Sequence, residues 1–283
     1  MSVIETKLFH ISSLTGNKNN GAKNSNISYY IPNFVNWGDD TIKAIYFSVL
    51  KCEFPVSFYL INDYNNTLTI QTSNITTTYT MTNGNYNVNT FITALSSLIG
   101  ANYTITYNNI TNKITITSIY SFSILYETTT MKRFLGLSNE EDTIATSTNG
   151  LYTITSSYVC NFLNLQRIHL RSSEFYLDSY NDYDKSNDIF LSIQNDSNNL
   201  GVIIYDNTTN LKHLLDVDIL ENINLRITDD RNREIDFNGV NWYLTFQVDY
   251  EYYEQPLKSN LSKFFKLYRQ NIIEDYFRQQ DKN

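Results

Sequence analysis

A mainly β fold, an antiparallel sandwich interrupted by a small α+β insert, is what this sequence predicts, and three observations predict it. The first is composition: 23 Tyr and 16 Phe stand against only 9 Gly and 3 Pro, and Tyr, Phe, Thr and Ile suit pleated, half-buried surfaces. The second is the alternation in "GVNWYLTFQVDYEYY", where Val240, Trp242, Leu244, Phe246, Val248, Tyr250 and Tyr252 share one face. The third is apolar spacing of helical period in "NVNTFITALSSLIG", with hairpin-like runs on either side.

The elements follow in chain order. Residues 1–26 are polar and read as a flexible N-terminal arm. Residues 27–62 form the first part of the sandwich. There "TIKAIYFSVLKCEF" is apolar on both faces, and Pro32 and Pro55 mark strand ends. Residues 63–150 are the insert, and between Tyr64 and Tyr126 Lys113 is the single charged side chain. "TLTIQT" and "TTTYTMT" make a hairpin. Asn87 caps a helix whose stripe includes Phe91, Leu95 and Ile99, and Gly100 sits at its C-terminal cap. "YTITYNNITNKITIT" is a second hairpin and "RFLGLS" closes the unit. One small sheet over one helix satisfies this hairpin-helix-hairpin pattern. Residues 151–256 return to the sandwich with "NFLNLQRIHLRS", "DIFLSIQ", "LGVIIYD", "ILENINLRIT" and the closing strand. Residues 257–283 read as a C-terminal amphipathic helix striped by Leu261, Phe265, Tyr268, Ile272 and Tyr276.

Several function classes are disfavoured. The formal net charge is −8, whereas nucleic-acid binding needs a concentrated Lys/Arg surface. No apolar run has the length of a membrane span, and the N-terminal residues carry no signal-peptide core. Cys52 and Cys160, without CxxC spacing, read as free thiols of a reducing compartment. His10, His169 and His213 are isolated, and His169 reads as a residue of the core edge. No HExxH, GxSxG or phosphate-loop pattern occurs. No catalytic, cofactor-binding or metal residue is assigned, no cofactor is expected, and an enzyme is not supported.

Two acidic clusters are the candidate sites. "TDDRNREIDFNG" mixes Asp229, Asp230, Glu234 and Asp236 with Arg231 and Arg233 and ends in the turn pair Asn238-Gly239. It reads as a solvated connection with local ion pairs. "YLDSYNDYDKSNDIF" holds Asp178, Asp182, Asp184 and Asp188. Its Asp182-x-Asp184-x-Ser186 start is that of a calcium loop, but Asn187 stands where Gly is needed and Ile193 where a bidentate Glu is needed. It reads as a loop at the sandwich rim.

Four stretches, "KAIYFSVLKCEFPVSFYLINDYNNTLTI", "TMTNGNYNVNTFITALSSLI", "FLGLS" and "ILENINLRITDDRNREIDFNGVNWYLTFQVDY", resemble the minor capsid (penton) proteins of mavirus-like virophages and Polinton-like viruses. The resemblance spans roughly residues 27 to 253. It implies a single jelly-roll β-sandwich carrying the insert, assembled as a homopentamer at the fivefold vertices of an icosahedral double-stranded DNA virus capsid. It also implies a double-jelly-roll major capsid protein as neighbour, an outward-projecting insert facing a host receptor or glycan, synthesis in the host cytoplasm and location in the virion. The alternative is a β-sandwich attachment protein that binds carbohydrate or a receptor, which the aromatic and amide-rich insert would suit.

Overall fold

The computed structural model describes residues 3–19, 23–38, 41–138, 140–175 and 179–253. The helix expected over 257–283 lies outside them. Eight strands form two antiparallel sheets: β1 (Val3–Ser12), β2 (Asn26–Asn36), β3 (Ile42–Pro55), β4 (Arg167–Arg171), β5 (Ile189–Gln194), β6 (Val202–Asp206), β7 (Ile219–Thr228) and β8 (Tyr243–Tyr252). One sheet has the order β1-β8-β3-β6 and the other β5-β4-β7-β2. The short pieces His213–Leu214 and Asn17–Lys18 add to β3 and β2. Sheet orders 1-8-3-6 and 2-7-4-5 are those of a jelly roll, so the expected fold class is met.

The alternating closing strand behaves as its pattern requires. Trp242, Leu244, Phe246, Val248 and Tyr250 are buried between the sheets. Val240 is not: it is exposed, because the strand begins only at Tyr243 and the chain still turns before it. The polar face also has an exception. Asp249 is buried, accepting from Thr6 Oγ1 and pairing with Lys212.

The flexible arm expected over residues 1–26 is corrected. Val3–Ser12 pairs with β8 along its whole length, from Val3↔Tyr252 to Ser12↔Tyr243. The other edge of β8 is taken by β3, and an open edge presents a row of unpaired N–H and C=O groups. Phe9 and Ile11 point inward, with Phe9 edge-on to Phe34 at 4.8 Å. Mixed with Glu5, Lys7 and His10, these two apolar positions are too few to register as a pattern.

A second core lies in the insert. The helix α1 (Val88–Ile99) has the expected caps: Asn87 Oδ1 accepts from the Asn89 and Thr90 amides, and Gly100 has φ 80°. Phe91, Leu95 and Ile99 are its buried stripe. The single small sheet is corrected to two. Thr143–Ile144, Phe122–Ile124, Thr67–Thr72 and Ile75–Thr80 form one, in that spatial order; Thr146–Thr148, Leu151–Thr155, Lys113–Ser118 and Tyr103–Asn108 form the other. Phe122–Ile124 leaves its neighbour Lys113–Ser118 and pairs with Thr67–Thr72, so α1 and the helical turn α2 (Lys132–Leu135) share a core bounded by both sheets.

The expected return to the sandwich at residue 151 is corrected too. Leu151–Thr155 pairs with Lys113–Ser118, Ile154 is buried in the insert core, and Cys160 and Phe162 pack against it. Leu60 and Ile61 belong to the same core, whereas Phe58 and Leu165 pack in the roll. The chain therefore crosses between the two cores at 58–60 and 162–165.

Candidate functional site

In each acidic cluster one or two acids are committed to an arginine in the fold. Asp229, read as part of a solvated connection, is 8% exposed. Its Oδ1 accepts from the Arg231 and Arg233 amides at 2.9 and 3.0 Å, and its Oδ2 from Arg233 Nε and Nη2 at 2.8 and 2.6 Å. This carboxylate is the hub of the turn, and the solvated reading is corrected for it. Glu234 accepts from Asn26 Nδ2 and Asp236 from the Asn238 amide. Asp230 stays half-exposed and meets His169 Nε2 at 2.9 Å.

The second cluster converges on a residue that the sequence did not single out. Arg171 at the end of β4 is fully buried. Its Nε donates to Thr228 Oγ1, and its Nη1 lies 3.1 Å from Asp184, 2.8 Å from Ser186 and 2.7 Å from Asp188. Arg226 stands 3.7 Å from Asp188 on the other side. Asp182 points to solvent and pairs with Lys185, and Asp178 lies outside the described residues. The guanidinium thus occupies the place a cation would take. Among the described residues no group of three or more His, Cys, Asp or Glu could hold a metal ion. In "RIHLRS" Arg171 has the parity of Arg167 and His169 and not of the inward Ile168 and Leu170, so alternation did not mark it; the register shifts between Leu170 and Arg171.

The cysteines offer no nucleophile. Cys52 is buried on β3, and burial pushes its thiol well up. Cys160 is half-buried beside Ser156 and is pushed up by the same cause. A thiol held protonated is neither a good nucleophile nor a good metal ligand.

The interior of the roll is filled with rings. Phe34, Phe47, Phe175, Phe190 and Phe246 are fully or nearly fully buried, with Phe47 and Phe175 stacked at 4.3 Å. What the roll presents to its surroundings is its outer strands. Ile4 and Leu8 on β1 are exposed, as are Val202 and Ile204 on β6 and Leu214 nearby. β1 and β6 are the two ends of one sheet. Apolar side chains on unpaired edge strands favour pairing with another chain. No helix among the described residues is long and apolar enough to cross a membrane.

No family model matches the chain, and no curated protein sequence matches it. Among solved structures it is similar to one described as the crystal structure of SeMet-labeled mavirus penton protein. That likeness has 12% sequence identity and a TM-score of 0.44, and it covers 89% of this chain and 100% of the other.

Proposed function

We propose that this chain is a structural virion protein, a minor capsid (penton) subunit that closes into pentamers at the vertices of an icosahedral double-stranded DNA virus. The observation that carries the reading is a jelly roll with a ring-filled interior and apolar side chains on both outer strands of one sheet. The resemblance of residues 27 to 253 to penton proteins supports it. A roll packed solid with phenylalanines leaves its outer surfaces for interaction. Two different apolar edges meeting head to tail form a heterologous interface, which closes into a ring when the rotation permits. The major capsid protein is then the neighbour around the ring.

The test is the mass and image of the purified chain. Closed fivefold rings are expected, favoured by added salt because it screens the repulsion between subunits of charge −8. Ile204→Asp on β6 should leave the fold intact and shift the chain to monomers. A chain that is monomeric at every salt and concentration, and absent from vertices on co-assembly with a major capsid protein, overturns the proposal.

The insert is proposed as a separable unit projecting outward, with the ends set by the two cores. Excising 60–163 and joining Tyr59 to Asn164 through a short Gly/Ser linker should leave a roll with a cooperative thermal transition. Recovery of only unfolded chain, by circular dichroism and melting, would show that the roll depends on the insert core.

A further inference from the structure

Where the chain leaves the roll at 58–60 and returns at 162–165, both crossings face the turn of residues 229–238 and enclose a cleft of about 130 Å³. Its walls carry Lys23, Arg133 and Arg233 against Asp63, Asp229, Glu234 and Asp236. The balance is close to neutral, so neither a polyphosphate nor a bare cation fits its field. Not all these groups are free. Arg233 is bound to Asp229, and Glu234 serves Asn26.

Four polar groups remain available. Arg133 and Lys23 make no ion pair among the described residues. Arg133 lies over the Phe134 ring. Lys23 lies over the Tyr64 ring, 5.2 Å from its centre, and donates one hydrogen bond to the Tyr64 hydroxyl at 3.5 Å, which leaves it donors to spare. Asp63 and Asp236 each accept one hydrogen bond, from Asn83 Nδ2 at 2.7 Å and from the Asn238 amide at 2.8 Å, and keep lone pairs open. Crowding by protein atoms, then Arg233 and Arg231, pushes Arg133 down to about 10, so it remains a cation at neutral pH. Tyr59, 40% exposed, adds an aromatic wall.

We infer that this cleft is a binding site for one neutral monosaccharide unit. Vicinal hydroxyls each donate and accept, so a ring of them needs what the cleft offers: guanidinium and ammonium donors facing carboxylate acceptors. The apolar face of a pyranose lies against a tyrosine in the same way that other small rings do. The volume admits one ring and excludes drug-sized or polymeric guests from full burial. This inference goes beyond the capsid reading and does not depend on ring closure.

The experiment is saturation-transfer NMR and titration on the full chain at neutral pH. The probes are glucose, galactose, mannose, N-acetylglucosamine and, as an acidic control, glucuronate. At least one neutral sugar should saturate with a dissociation constant on the order of 1 mM. That constant should change less than about twofold between low and physiological salt, since no net charge is neutralised. Arg133→Gln and Asp63→Asn should each weaken binding at least about tenfold while leaving the melting temperature unaltered. Absence of binding by every neutral sugar, salt-dependent binding of glucuronate alone, or wild-type affinity in both variants overturns the assignment. The wild-type panel decides this even if one variant fails to fold. Because binding is read on monomer or ring alike, its failure is distinct from failure of assembly.

Discussion

Phe246→Ala is expected to cost about 3–5 kcal/mol of folding stability, the range for truncating a large buried aromatic. The side chain is fully buried at the centre of the roll, with its ring centre 4.9 Å from that of Phe47 and 6.0 Å from that of Phe34. It also touches Phe175 and Phe190. Its removal opens a void between sheets that cannot collapse without shifting all four neighbours. Trp242→Ala belongs in the same range and also removes the Nε1 donor to the Asn24 carbonyl, leaving a buried oxygen unpaired. Urea unfolding monitored by circular dichroism measures both. A loss below about 1 kcal/mol for Phe246→Ala would mean that the interior is not the packed layer described.

Arg171→Met is the second large effect, with an expected loss of about 3–5 kcal/mol at neutral pH. Methionine fills much of the volume but removes the cation that Asp184 and Asp188 share, leaving Asp188 with Arg226 at 3.7 Å, and it leaves Thr228 Oγ1 without its donor. Burial alone would raise the Asp184 carboxyl; the hydrogen bonds from Ser186 and the charge of Arg171 outweigh it and hold the carboxyl below the ordinary carboxylate range. A carboxyl depressed in the folded state adds stability above its unfolded pKa. That contribution is lost as pH falls through the lower, folded value. The wild type should therefore lose stability below about pH 4, while Arg171→Met, already lacking the cation, should show a flatter acid limb. Parallel denaturation series at neutral and acidic pH give both curves. Equal acid slopes in the two proteins would detach Asp184 from Arg171.

Local periodicity is what could be read without the fold. The buried face of residues 242–250 was legible because alternation is a property of the strand itself, and α1 was legible because Asn87, its apolar stripe and Gly100 lie within one short window. No candidate catalytic or metal residue was assigned from sequence, and the groups that matter most in the structure were not visible there. Arg171 looked like an ordinary strand-end charge, since its partners Asp184 and Asp188 come from a loop whose landing place has no local signature. Asp229 looked solvated because a run of mixed charges does not say which pair closes the turn; its four donors are near neighbours, the Arg231 and Arg233 amides and the Arg233 guanidinium.

By itself, then, the sequence determined the β character, the insert, the helix with its caps and the inward face of the last strand. These are short-range matters of propensity and period. Only the tertiary structure decided that Val3–Ser12 is an edge strand, that the insert carries two sheets and reaches to Phe162, and that the crossings enclose a cleft. Each of these depends on which distant backbone edge or charge lies within hydrogen-bonding reach, and a linear pattern carries no information about that distance.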